Sequence, residues 1–433
     1  MPLAACQHSG YPVKSVPARK ARLYLLALFA PFVAALLALR HPRDPEARNL
    51  IWIFVIYFGA VFYIAPDSSA DSARYAIWLK AMYANGIDLH ALLASFFKEG
   101  SRNQDIYQPL LTFLVSRFTD NHAALFAAFG VVFGYAYSRN IWFLVDRLPP
   151  RTGPLLIFLL FAFAFLVDIG SGLNGVRMWT ALHVFAFGIL NYCATRKYRY
   201  LLVLALTPLI HFSFWLACIV AFAWLFARRL GLPIYVFFVV SYFGVVLDLG
   251  ALKSVIGYLP LPIEERTASY VSSAELDPDA MMEQAQAAIW FLRLNVQLLS
   301  TFFLVSVSWM VWRGCLRHPG LVRNLLTFGM LMYAVMNLIS YVPSLGRFYY
   351  LAELILLAAL ILFLAGRPPR ARQDAQVIGV LAGLLALNLA LGVRFTLEFA
   401  SIWLFLGNFF LAPLVSPTES LYELLHFVLR GMR

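Results

Sequence analysis

Charged side chains are scarce: Asp, Glu, Lys and Arg make up 13% of the 433 residues, where a water-soluble domain carries about 25%. That scarcity excludes an ordinary soluble enzyme. Cysteine is also rare, with four residues and no C-x-x-C pair. A disulfide framework, a zinc site and a thiol redox site are therefore not indicated. No cluster of His, Asp and Glu stands at metal-ligand spacing, so neither a metal nor another cofactor is expected. No repeat of 20 to 50 residues is visible, which argues against the inverted-repeat transporters.

What the chain has in quantity is apolar surface. Hydrophobic residues reach 62%, with 38 Phe, 21 Tyr and 10 Trp, and the mean hydropathy is +0.75. This is the composition of a polytopic helical membrane protein. Lys14, Arg19, Lys20 and Arg22 precede an apolar run in the manner of a signal peptide. No small-residue cleavage site comes before Arg40, so the run reads as a retained span.

Apolar runs near 23–39, 50–65, 121–145, 154–168, 175–193, 233–249, 288–312, 323–341, 348–366 and 375–392 read as spans, with a shorter one near 400–415. The fold expected is an all-α bundle of about twelve to fourteen transmembrane or half-spanning helices. Residues 1–22 form a basic tail, 23–415 one transmembrane domain, and 416–433 an amphipathic tail with Leu421, Leu424, Leu425 and Val428 on one face. Residues 200–227 carry no formal charge across 28 positions, too long for one upright crossing. Pro208 and His211-Phe212-Ser213 supply a break, giving two short helices that meet near His211.

With that hairpin, basic clusters from Arg40 to Arg372 fall on one side and account for half of the 34 basic residues. The positive-inside rule makes that side cytoplasmic and leaves loops 66–120 and 250–287 external. The basic surplus is thereby topological rather than a nucleic-acid signal, so no nucleic-acid partner is expected. The basic N-terminal tail is the exception, because one span at 23–39 places it outside.

An ionised group in hydrocarbon costs about 2.5–3.5 kcal/mol on insertion scales, so polar residues at span mouths need a reason. Asp71, Arg74 and Tyr75 share a helical face; an N-capped interfacial helix with a surface ion pair gives the same pattern. Tyr107-Gln108-Pro109 opens a short apolar segment. Asp168 to Arg177 is a glycine-rich turn where an anion would find Arg177 and a helix N-terminus, or else a turn with a snorkelling arginine. His211 stands at the helix break. Arg293 and Gln297 share a face that should point into the bundle. Arg347, Tyr350 and Glu353 begin a late span, and Glu353 either serves a site or pairs with a neighbouring arginine. The topology brings these groups to the external half, where converging arginines need an anion such as phosphate.

The order of motifs resembles the EpsG-like, Wzy-type polymerases of bacterial polysaccharides: D-x-x-x-Y (Asp71, Tyr75), an E-P-like turn, G-x-R (Gly175, Arg177), H-x-S (His211, Ser213) and R-x-x-Y (Arg347, Tyr350). Gln108 departs from the glutamate usual before Pro109. The resemblance implies a GT-C-like glycosyltransferase in the bacterial inner membrane with its site facing the periplasm. Donor and acceptor would be undecaprenyl-pyrophosphate-linked oligosaccharides reached from membrane lipid, with a chain-length regulator as a further partner. It implies catalysis by Asp71 or His211. Arg74, Tyr75, Arg177, Arg293, Arg347, Tyr350 and Glu353 would bind substrate and pyrophosphate. A flippase for the same lipid, and a membrane glycan ligase or acyltransferase, are the competing readings.

Overall fold

The computed structural model describes residues 17–65, 70–97, 105–243, 290–339, 343–366 and 372–431. Loop 250–287, expected from the sequence to be external, Asp67 to Ser69, the first sixteen residues and the end of the run 233–249 lie outside them. The chain begins with α1 (Pro17–Phe29), α2 (Pro31–Arg40) and α3 (Ala47–Ala60), followed by α4 (Asp71–Asn85), α5 (Leu89–Phe97) and α6 (Tyr107–Ser116). Next come α7 (His122–Val145), α8 (Pro154–Phe165), α9 (Ile169–Asn174), α10 (Val176–Thr195), α11 (Arg199–Ala205), α12 (Thr207–Ile210), α13 (Phe214–Ala227) and α14 (Gly231–Ser241). The last group is α15 (Trp290–Trp312), α16 (Leu321–Leu338), a 3-10 turn at Pro343–Phe348, α17 (Tyr349–Ala365), α18 (Arg372–Ala382), α19 (Ala386–Phe399), α20 (Trp403–Leu406) and α21 (Leu421–Gly431).

Among the described residues the fold is all-helical apart from one isolated bridge, Phe62 to Ala400. Five stretches are long and apolar enough to cross a membrane: Pro154–Asn174, Trp290–Trp312, Leu321–Leu338, Gly346–Ala365 and Gln376–Phe399. Shorter apolar helices such as α2, α3, α13 and α14 pack among them. This is the architecture of a helical membrane protein.

The tightest seam joins α3 to α7. A Cβ at Gly59 would lie 2.2 Å from the Phe126 carbonyl oxygen, and one at Gly130 would lie 2.8 Å from the Val55 oxygen. The two backbones therefore touch, in the way small residues allow within membranes, where packing rather than water drives helix association. Beside this seam, Phe126, Phe129 and Phe133 form a buried aromatic column with Tyr75. A second core centres on α10, α16 and α17, where Leu351 to Ile361 is almost wholly buried.

The first span is not a span. Pro31 lacks an N–H and drives the preceding residue out of the helical region, and Ala30 stands at φ −144°, ψ 69°. The chain folds back there, so α1 and α2 form a hairpin. Its ends meet: Arg19 pairs with Asp44 and Lys20 with Glu46, while the Tyr24 hydroxyl donates to Glu46 at 2.8 Å. Arg19 and Lys20 sit at the same end as Arg43, whose guanidinium donates to the carbonyls of Leu148 and Pro149. Arg228 bonds Tyr192, and Arg323 donates to the Arg229 carbonyl at 2.9 Å, so the other basic loops share contacts as well.

Residues 400–415 do not span either. Asn408 accepts the N–H groups of Phe410 and Leu411 in a side-chain-closed turn, which stops the helix after α20. The segment packs on the tip of the α1–α2 hairpin, where Phe29 meets Phe410 at 5.1 Å. The late run extends further than 375–392, through a short 3-10 turn at Gly383–Leu385 to Phe399. The tail holds the helix α21, whose Leu421 and Leu424 pack on the core. Ser420 and Glu423 cap α21 reciprocally at 2.7 and 3.1 Å, and the Ser420 N–H holds the Glu423 carboxyl below the usual carboxylate range. Leu425, Phe427, Val428 and Leu429 are left exposed, as befits a helix lying on a membrane surface.

In a cysteine-free background, Arg22→Cys and Arg151→Cys should react with an impermeant maleimide from one side of the membrane and Asn85→Cys from the other. Labelling of Arg22→Cys on the side of Asn85→Cys would restore a single crossing and exclude the hairpin.

Candidate functional site

The helix break is where expected. α12 ends at Ile210, His211 turns extended at φ −147°, ψ 118°, and α13 starts at Phe214. Pro208 lies in the first turn of α12 rather than at the break itself. A break in hydrocarbon strands backbone N–H groups, each of which needs a partner. Asp105 provides one, because its Oδ1 accepts the Phe212 N–H at 2.6 Å. The neighbouring Ile106 N–H donates to the Leu209 carbonyl at 3.0 Å, so the start of α6 is stitched to both sides of the break.

The other oxygen of Asp105 accepts from Arg177 Nη1 at 3.0 Å, and Arg177 Nε donates to the Tyr75 hydroxyl at 3.3 Å. The carboxylate is 2% exposed and the guanidinium 27%. A charge this deep is tolerated because it is paired and hydrogen-bonded. Asp71 also acts on Arg177 through its charge and forms an ion pair with Arg74. His211 feels the charges of Asp105, Arg177, Arg347 and Asp71. Four separate segments thus bring acid, base and two arginines around one broken helix.

The orientation of the His211 ring follows from its neighbours. The Ser213 backbone N–H donates to Nδ1 at 3.3 Å, and the Ser213 hydroxyl lies 3.0 Å from the same atom. A backbone N–H can only donate, so Nδ1 carries the lone pair and the neutral ring holds its proton on Nε2. Arg347 lies in the last turn of the 3-10 segment before α17. It is exposed and has no carboxylate partner among the described residues.

Several expected roles change. Tyr75 is 1% exposed and packs against Phe129 and Trp78, so its ring cannot stack on a sugar; it positions Arg177. Arg293 and Gln297 lie on the exposed face of α15, and Asn295 points inward instead. At 3.6 residues per turn Asn295 sits about 200° from each of them, and Leu299 and Phe302 continue its buried face. Glu353 is buried but has no arginine partner among the described residues. It faces a tyrosine cluster, acting on Tyr242, Tyr333, Tyr349 and Tyr350. Gln108 is buried and donates to Thr112 at 2.8 Å, a helix-internal contact.

The glycine-rich stretch 168–177 is not an open anion cradle. Asp168 caps α9 by accepting the Ser171 N–H at 2.9 Å, and a Cβ at Gly172 would lie 2.3 Å from the Phe133 ring. The glycines permit packing, while Arg177 emerges from the next turn. Asp105 is the residue that sequence reasoning missed. It lies two positions before Tyr107 in a polar loop, and no periodicity separates it from surface acids.

No family model, curated protein or solved structure matches the chain. The site therefore stands on its own geometry.

Replacement of Asp105 tests that geometry. Asp105→Asn retains an acceptor for Phe212 but drops the ion pair, whereas Asp105→Leu loses both. The leucine variant should lose about 3–5 kcal/mol, the scale for stripping one partner from a buried pair. Thermal unfolding in detergent should rank wild type above Asn above Leu, and three equal midpoints would contradict the assignment.

Proposed function

We propose that the protein polymerises polysaccharide repeat units carried on undecaprenyl pyrophosphate, as a GT-C-like membrane glycosyltransferase at the periplasmic face of the bacterial inner membrane. The observation that carries this reading is the convergence of Arg177, Arg347, Asp71 and His211 at one helix break. The order of motifs resembling the Wzy-type polymerases points the same way.

The chemistry required is displacement at an anomeric carbon. An acceptor sugar hydroxyl on the next lipid-linked repeat attacks C1 of the donor glycan. The C1–oxygen bond to pyrophosphate breaks, and undecaprenyl pyrophosphate leaves with that electron pair. Negative charge grows on the leaving group, where fixed cations stabilise it most effectively in a site that excludes water. Arg177 is preset by Asp105 and Tyr75. Arg347 is the exposed counterpart, with no carboxylate holding it among the described residues.

Asp71 takes the hydroxyl proton. Its carboxylate is held by Arg74 yet remains 21% exposed, so an acceptor has access. His211 is the weaker candidate for base, because the nitrogen with the lone pair is occupied by Ser213. Its Nε2–H suits donation to a phosphate oxygen. Asp105 is committed on both oxygens and serves to position Arg177.

Arg177→Lys and Arg347→Lys keep the charge but lose the planar fork, so each should cut polymer yield by about tenfold or more while single lipid-linked repeats accumulate. Asp71→Asn should accumulate single repeats with donor binding intact, a loss in the chemical step. Wild-type polymer in the arginine variants would exclude the anion role. Normal polymer in Asp71→Asn, with single repeats in His211→Ala, would transfer the base to the histidine.

A further inference from the structure

A cavity with several polar side chains in its wall lies across α10 from the Arg177 cluster. Arg177 and Trp179 are two residues apart and so project about 200° from one another on the helix. Trp179 lines a cavity of about 310 Å³ together with Asp168, Ser171, Asn295, Tyr350 and Asn388. The volume falls at the small end of ligand pockets, which run from about 300 to 1,000 Å³.

Its lining has a distinct chemistry. Among aliphatic side chains stand one carboxylate, the hydroxyls of Ser171 and Tyr350, two carboxamides and four aromatic rings, with no lysine or arginine. Trp179 and Tyr350 meet edge to face with centroids 5.3 Å apart. Asp168 keeps one oxygen on the Ser171 N–H and the Thr396 hydroxyl, and is 4% exposed. Asn295 is 6% exposed, and its Oδ1 has no hydrogen-bond partner. That oxygen is buried behind the cavity wall, and a turn of the Asn295 carboxamide would offer it to a donor that enters.

We propose that this cavity binds one uncharged sugar ring. Asp168 repels anions, which excludes pyrophosphate from this side of α10. Carboxamide and hydroxyl groups both donate and accept, matching the alternating demands of ring hydroxyls. The aromatic pair offers apolar area to the C–H faces of the ring. Anion and sugar are thus sorted to opposite faces of one helix. The role of the site rests on the polymerase reading, under which the ring belongs to the glycan rather than to the reacting pyrophosphate end. The binding itself does not depend on turnover.

Saturation-transfer NMR on the full chain in lipid nanodiscs tests the binding, with free glucose, galactose, mannose and N-acetylglucosamine as probes. At least one sugar should receive saturation from the protein. That transfer should fall to background in Asn295→Leu and in Asn388→Leu on the opposite wall, and persist in Arg347→Lys. Should Asn295→Leu fail to fold, Asn388→Leu carries the decision. No transfer to any sugar, or transfer undiminished in the folded wall variants, would overturn the proposal. A polymerisation defect in Arg347→Lys alongside absent sugar transfer would remove this site alone. Normal polymer in that variant with sugar transfer intact would remove the pyrophosphate reading alone.

Discussion

A helix broken inside a membrane must satisfy its freed backbone groups from within the protein, because no water is present to do so. Here one buried carboxylate carries much of that demand. Asp105 takes the Phe212 N–H with one oxygen and the Arg177 guanidinium with the other. The break at His211, the start of α6 and the mouth of α10 are thereby fixed with respect to one another. The ion pair is tolerated at depth because each partner has further polar contacts. Arg177 reaches Tyr75, and Tyr75 in turn is locked by the aromatic column of α7. The functional geometry thus rests on the same α3–α7 seam that organises the bundle.

This arrangement divides labour among residues of similar type. Arg177 is buried, paired and preset, whereas Arg347 is exposed on a 3-10 turn. Under the proposed function, a site that receives a charged lipid headgroup and releases it afterwards benefits from one fixed and one exposed cation. The carboxylates divide likewise. Asp105 is committed to structure, Asp71 is partly accessible, and Asp168 and Glu353 flank Tyr350 on the other side of α10. The hydrogen bond from Ser213 to His211 decides which ring nitrogen can act, and it favours donation over proton abstraction.

Features governed by local physics were legible in the sequence. An uncharged run too long for one crossing, with proline and His-x-Ser inside it, gave the broken helix. The amphipathic face of Leu421 to Val428 marked α21. What was hidden depends on tertiary placement. Pro31 read as an ordinary residue within an apolar run, yet it reverses the chain, and only the pairing of Arg19 with Asp44 reveals that. The rotation of α15 was misjudged because a polar i,i+4 pair was assumed to face inward, while Asn295 with Leu299 forms the buried stripe. Asp105 was invisible because its partners lie 72 and 107 residues away.

The central claim is that the basin around the helix break recognises a pyrophosphate on a lipid. Equilibrium binding of undecaprenyl pyrophosphate and undecaprenyl monophosphate to the protein in nanodiscs tests it most directly. The preset Arg177 together with the exposed Arg347 should favour the pyrophosphate by about tenfold or more, equivalent to about 1.4 kcal/mol, and the preference should disappear in Arg177→Lys. Equal affinity for the two lipids, or a preference that survives in Arg177→Lys, would contradict the account.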